Sequence, residues 1–165
     1  MRRNLILALC WLGGACCAQT LSERDVKFAQ AAAEGGMMEV ALGETAQRNG
    51  YTPEVKTCGR RMVEDHSKAN GELKELASEK KIALPAAMSD KKKKKCDDLY
   101  KLTGKTFDKA YARLMIKDHK EDLEEFKSEA KKGSDPGLKA WAADKISTLE
   151  SHLEMWEAAY KAAKQ

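Results

Sequence analysis

Between residues 55 and 76 small, apolar and one ring residue return at spacings of 4, 3, 4, 3, 4 and 3: Val55, Gly59, Met62, His66, Ala69, Leu73 and Leu76. The residues between them are mostly charged or polar. This alternation is the period of an α-helix that turns one face to a core. A similar stripe runs through Phe107, Tyr111, Met115, His119, Leu123, Phe126 and Ala130. Another runs through Leu138, Trp141, Ile146, Leu149, Leu153, Trp156 and Tyr160, with His152 at its edge. The first stripe along the chain is made of small residues instead: Ala29, Ala32, Ala33, Gly36 and Gly43. An interior Gly costs about 1 kcal/mol relative to Ala, so Gly35-Gly36 predicts close approach to a neighbouring helix.

Stop and start signals divide these stripes into four helices, at about 22–48, 53–81, 104–132 and 135–163. Ser22-x-x-Asp25 reads as a capping start, and Asn49-Gly50 ends the first helix. Thr52-Pro53 and Asp135-Pro136 each place a cap residue before a proline at the first helical position. Gly133-Ser134 closes the third helix. Short connections make the first pair and the last pair antiparallel hairpins. Between the pairs, residues 82–103 read as a crossover loop. At roughly 3.3 Å per residue the loop reaches about 70 Å, against roughly 42 Å for a 28-residue helix. The expected fold is therefore all-α, a ferritin-like up-down-down-up four-helix bundle; a long loop also permits the simpler up-down-up-down order.

Composition changes this picture at the N-terminus. A basic start, an apolar run from Leu5 to Leu12 and the small residues before Gln19 form a signal peptide over 1–18. Export to the periplasm or outer envelope follows, without lipidation, because neither Cys16 nor Cys17 has Leu three residues before it. No later segment is apolar enough to cross a membrane. Loss of Arg2 and Arg3 with the leader lowers the net charge of +4 to +2, which gives nucleic-acid binding no support. Cys58 and Cys96 then remain, and an exported protein with two cysteines most often pairs them. A disulfide closing about 38 residues would stabilise by roughly 4 kcal/mol. Lys91, Lys92, Lys93, Lys94 and Lys95 read as a solvated loop, with an anionic envelope surface as the alternative partner; no other partner is indicated.

The three histidines of the chain are His66, His119 and His152. Counted from the helix ends of an up-down-down-up bundle, they fall within about a turn of one level, and Glu39 on the first helix joins them. One side chain from each helix at mid-bundle is how bundles build metal sites. The residues three before the histidines are Val63, Ile116 and Leu149, so the Glu-x-x-His pattern of diiron carboxylate proteins is absent and an oxidase is not expected. Met62, Met115 and Met155 stand a turn from the histidines, and thioether with imidazole suits copper, while three imidazoles and a carboxylate suit zinc. Asp65 and Asp118 point about 100° away from the neighbouring rings and read as outer partners or ties between helices. The other reading is structural: Met fills gaps in cores, and a seam His can hold register by bonding to an acid on the next helix. No Ser/His/Asp spacing or phosphate loop indicates an enzyme.

Four blocks carry a resemblance: AAAEGGMMEVALGETA at 31–46, VKTCGRRMVEDHSKANGELKELA at 55–77, GKTFDKAYARLMIKDHKEDLEEF at 104–126 and DPGLKAWAADKISTLESHLEMW at 135–156. In order and spacing they resemble the 4142 family of domains of unknown function, exported bacterial proteins often labelled outer-membrane proteins. The resemblance implies a ferritin-like four-helix fold and retention of the positions matched by Asp65-His66, Asp118-His119 and His152-Leu153. It implies no activity, and it makes any Cys58–Cys96 bond a local addition. The function expected is thus a non-catalytic envelope protein, its histidines acting mainly in the core and its role lying in envelope stress tolerance. The alternative is a periplasmic copper- or zinc-binding protein using the His/Met/Glu cluster.

Overall fold

A computed structural model describes residues 21–164. The leader assigned to 1–18 lies outside them. The helices are α1 (Glu23–Asn49), α2 (Pro53–Glu79), α3 (Asp90–Tyr100), α4 (Gly104–Lys132) and α5 (Pro136–Ala162), with no strand among the described residues. Starts are set by side chains that satisfy free backbone N–H groups. Ser22 and Asp25 form a reciprocal capping box on α1. Thr52 accepts from the Val55 N–H, and Asp135 from the Leu138 N–H.

Contacts between helix ends give the direction of each helix. Asp108, in the first turns of α4, accepts from the backbone N–H groups of Tyr51 and Thr52 at the start of α2. The two helices therefore begin at the same end and run parallel. At the other end Asp25 of α1 accepts from the Ser134 N–H, and Lys80, closing α2, pairs with Asp135 at the head of α5. The order is up-down-down-up. α1 packs along α2 and α4 along α5, and the hairpins meet through α2·α5 and α1·α4.

The expected crossover loop contains a helix. Lys91–Lys95 lie on α3, whose buried residues are only Cys96 and Leu99. Lysine is a good helix former, and Lys94 pairs with Asp98 one turn on, at 2.6 Å. α3 packs against α1 and α4, so the lysine run is partly seated, with Lys95 reaching Asp118 at 2.8 Å.

Cys58 and Cys96 are both buried as free thiols, which corrects the expected disulfide. Both belong to one apolar cluster with Met62, Tyr111 and Trp156, where each packs as a small hydrophobe. Burial pushes the Cys58 thiol up to about 11, leaving almost no reactive thiolate at neutral pH. The glycine expectation holds at Gly36, where a Cβ would run into the Asn70 side chain of α2. The backbones of α1 and α2 also approach closely at Gly43 and Gly59: a Cβ on Gly43 would stand 2.6 Å from the Gly59 carbonyl oxygen.

The core has two parts. Met38, Leu42, Val55, Met62, Phe107, Tyr111, Met115 and Trp156 fill one end of the bundle. The other end holds Ala29, Leu73, Ala77, Ile82 and Leu138 together with Phe28, Leu123, Phe126 and Leu149. On α2, α4 and α5 a histidine falls between the two sets.

Two features of the ends have measurable consequences. The Ile82 and Lys81 N–H groups bond back to Ala77 and Ser78, a Schellman closure that leaves Lys81 at φ 57°. Lys81→Gly relieves the left-handed conformation and should stabilise by about 1 kcal/mol in urea unfolding. Beside the α1 cap, Glu129 is buried with the Arg24 Nε 3.4 Å away. Burial, then its contact with Asp25, raises its carboxyl from 4.5 to about 7. A carboxyl raised on folding contributes stability below its unfolded value and loses it as pH climbs through the folded one. Glu129→Gln should therefore stabilise by about 1–2 kcal/mol at pH 8 and by little near pH 5, read from denaturation at both pH values.

Candidate metal centre

The structure brings one side chain from each long helix to the level between the two apolar sets: Glu39 from α1, His66 from α2, His119 from α4 and His152 from α5. None is more than 8% exposed. The ring centroids of His66, His119 and His152 form a near-equilateral triangle with sides of 5.8, 5.3 and 5.4 Å. One nitrogen from each lies within 4.8 Å of the other two.

Each ring is held from behind by an acceptor. His66 Nδ1 lies 2.9 Å from Glu39 Oε2. His119 Nδ1 lies 3.0 Å from the Met115 carbonyl oxygen. His152 Nε2 lies 2.8 Å from Asp65 Oδ2. A carbonyl or carboxylate only accepts, so the facing ring nitrogen carries the proton and donates. In each neutral ring the other nitrogen is then a lone-pair acceptor. These are His66 Nε2, His119 Nε2 and His152 Nδ1. His66 Nε2 has no hydrogen-bond partner, and His119 Nε2 meets His152 Nδ1 at 3.4 Å. Two acceptors cannot bond to one another; the trio requires a proton or a cation between its members. Acceptors that fix the tautomer from the far side are the usual support of metal-bound imidazoles.

The charges are shaped by the same contacts. Burial pulls His66 down, but the Glu39 carboxylate outweighs it and raises the ring above its ordinary value. Burial lowers His119, with Glu39 opposing. Burial takes His152 down to about 4 despite the Asp65 bond. For Glu39 burial acts upward, and the charge on His66, then on His119 and His152, carries the carboxyl below its ordinary value.

Other residues singled out in the sequence fall differently. Asp65 supports His152, across from its own helix, and also binds Arg61. Asp118 turns away from the rings to Lys95 of α3. Met62 and Met115 are buried in the apolar cluster and Met155 packs against it; the Met62 sulfur already accepts from the Trp156 Nε1, at 3.4 Å. Sequence reading missed Asp122, which places a carboxylate oxygen within 4.8 Å of Glu39 and Asp118. Its spacing of four from Asp118 was the available signal. A cavity of about 110 Å³ beside Asp65, Lys68, Lys145 and Thr148 reaches His66 and His152. A larger groove, about 690 Å³ along Arg24, Lys27 and Lys131, lies at the end of the bundle and touches none of the rings.

No curated protein sequence matches the chain. Among solved structures, a DUF305 fragment from Deinococcus radiodurans is similar over 87% of this chain and 99% of that one, with 11% identity and a TM-score of 0.76. CopM in its Cu(I)-bound form is similar over 84% of this chain and 96% of that one, with 17% identity and a TM-score of 0.70. Its Ag-bound form gives 20% identity, the same coverage and a TM-score of 0.69. At these identities the likeness is one of fold. The profile of a domain of unknown function, DUF4142, matches residues 13–159. The chain therefore belongs to that family, as the four helical blocks had implied.

Proposed function

We propose that the protein is an exported, non-catalytic bundle that binds a soft or borderline metal ion, copper before zinc, through His66, His119 and His152. The observation that carries this reading is the trio of inward ring nitrogens, which are all acceptors while the rings are neutral. A metal ion supplies the missing positive partner, and three imidazole nitrogens suit copper and zinc better than magnesium or calcium. Glu39 and Asp65 act behind the rings, and the channel beside Asp65 is the route inward. The likeness to CopM, solved with Cu(I), Cu(II) and Ag, supports the choice of metal. The leader-like N-terminus supports export.

A second reading has its own observation. The Glu39–His66, Asp65–His152 and His119–His152 contacts join all four long helices, so the same side chains would hold the bundle in register without a metal.

Titration with Cu(I) and Ag(I) separates the two. Metal binding predicts about one tightly held equivalent per chain, lost in a His66→Ala/His119→Ala variant. Unchanged stoichiometry in that variant removes the metal reading. A pure lock predicts no tight equivalent in the native protein and a fall in melting temperature of the variant in metal-free buffer.

The pKa directions give a second outcome. A bound metal competes with protons. His66, raised by Glu39, is the ring that binds a proton first as pH falls, whereas His152, held near 4, competes only in acid. Between pH 7 and pH 5 the logarithm of the Ag(I) dissociation constant should rise with a slope nearer one than three per pH unit. Three ordinary imidazoles would approach three. Competition titrations at several pH values measure the slope.

A further inference from the structure

On the side of the polar layer facing α3, three carboxylates crowd together without serving the rings as their only task. Glu39, Asp118 and Asp122 each bring one oxygen within 4.8 Å of the others. Glu39 is 2% and Asp118 3% exposed, and Asp122 is half-buried. Carboxylates this close repel unless a proton or cations stand among them; burial, then the charges of Glu39 and Asp118, raise the Asp122 carboxyl well above its ordinary value. α3 supplies one in contact: Lys95 Nζ is 2.8 Å from Asp118 Oδ1. Lys92 lies nearby over α1, its Nζ 3.6 Å from the position a Cβ on Gly35 would take. Those lysines do not satisfy the group. Asp118 Oδ2 remains buried without any hydrogen-bond partner, and Glu39 Oε1 has none either, its nearest cationic neighbour being His119 Nδ1 at 3.6 Å. A buried carboxylate oxygen without a hydrogen bond is costly, and here two such oxygens belong to one cluster.

We infer that Glu39, Asp118 and Asp122 form a second cation site, for a hard divalent ion, distinct from the imidazole nitrogens and touching them only through Glu39. Oxygen donors alone select ions such as Mn²⁺, Ca²⁺ or Mg²⁺ over copper, so the two sites differ in the metal they prefer. Glu39 would turn one oxygen to His66 and offer the other to the hard ion. Lys95 is the resident counter-charge of this site. Its side chain is 27% exposed and swings outward when a divalent ion takes its place. The site thus stands whether or not the imidazoles hold copper.

Mn²⁺ is the probe, because its free ion is counted directly by electron paramagnetic resonance. The native protein should remove about one equivalent of free Mn²⁺. Lys95→Gln should tighten binding by roughly tenfold, since the competing charge is gone. Asp122→Asn, at a half-buried position that the fold tolerates more readily than Asp118, should abolish Mn²⁺ binding and leave the Ag(I) stoichiometry as it was. Mn²⁺ binding by a protein that takes up no Ag(I) sinks the imidazole reading and upholds this one. No Mn²⁺ uptake by either native protein or Lys95→Gln overturns the inference, as does uptake unchanged by Asp122→Asn. Loss of Mn²⁺ and Ag(I) together in Asp122→Asn, in a chain that still melts cooperatively, overturns the claim of two distinct sites.

Discussion

A carboxylate and three imidazoles occupy the level of the bundle where leucines would pack best. Burying such groups is unfavourable unless every polar atom is answered, and this requirement arranges what surrounds them. Glu39 must come from α1 to reach His66, and Asp65 must sit on α2 to reach His152 on α5. The Met115 carbonyl oxygen, drawn toward the His119 ring four residues on, completes the set. Each answer orients one ring and leaves its other nitrogen turned inward. The order that results is an arrangement of acceptors, and acceptors alone are an incomplete structure.

The apolar sets on either side keep water from completing it. Toward the α2 start, Tyr111, Met62 and Trp156 are fully buried; toward the other end, Leu149 and Phe126 line the entrance to the rings. Beside Glu39 and His66 the remaining space is about 20 Å³, room for a single water at most. A low-dielectric setting strengthens whatever cation or proton finally sits there. It also explains why neighbouring histidines diverge in character. His66 faces the fully buried Glu39 and gains proton affinity, while burial outweighs Glu39 at His119 and Asp65 at His152, and both lose it.

Much of this architecture is legible in the chain. The 3-4 spacing reports helical faces directly, because only a helix returns a side chain to the same side at that interval. The caps and prolines mark the helix starts, and counting inward from them brings Glu39, His66, His119 and His152 to one level. What spacing does not report is which neighbour answers a polar atom. Asp65 lies next to His66 in sequence yet serves His152, and Asp118 lies next to His119 yet serves Lys95. α3 escaped for another reason: Cys96 and Leu99 are too few to display a period. The thiols misled because compartment and count favour a bond, whereas packing had already given each cysteine a place. Gly43 and Gly59 become significant only once α1 and α2 are known to face each other there.

The two short connections, at 50–52 and 133–135, carry a consequence for the order of assembly. Contacts within α1–α2 and within α4–α5 are local in the chain, while those between the hairpins span the α3 segment, and local contacts form first. Glu39 and His66 belong to one hairpin, His119 and His152 to the other. Neither half alone presents more than two imidazoles. The complete set of inward nitrogens comes into being at the docking step, so on the proposed metal reading an ion met earlier would find only weak half-sites, and one met at that moment would be enclosed as the halves close.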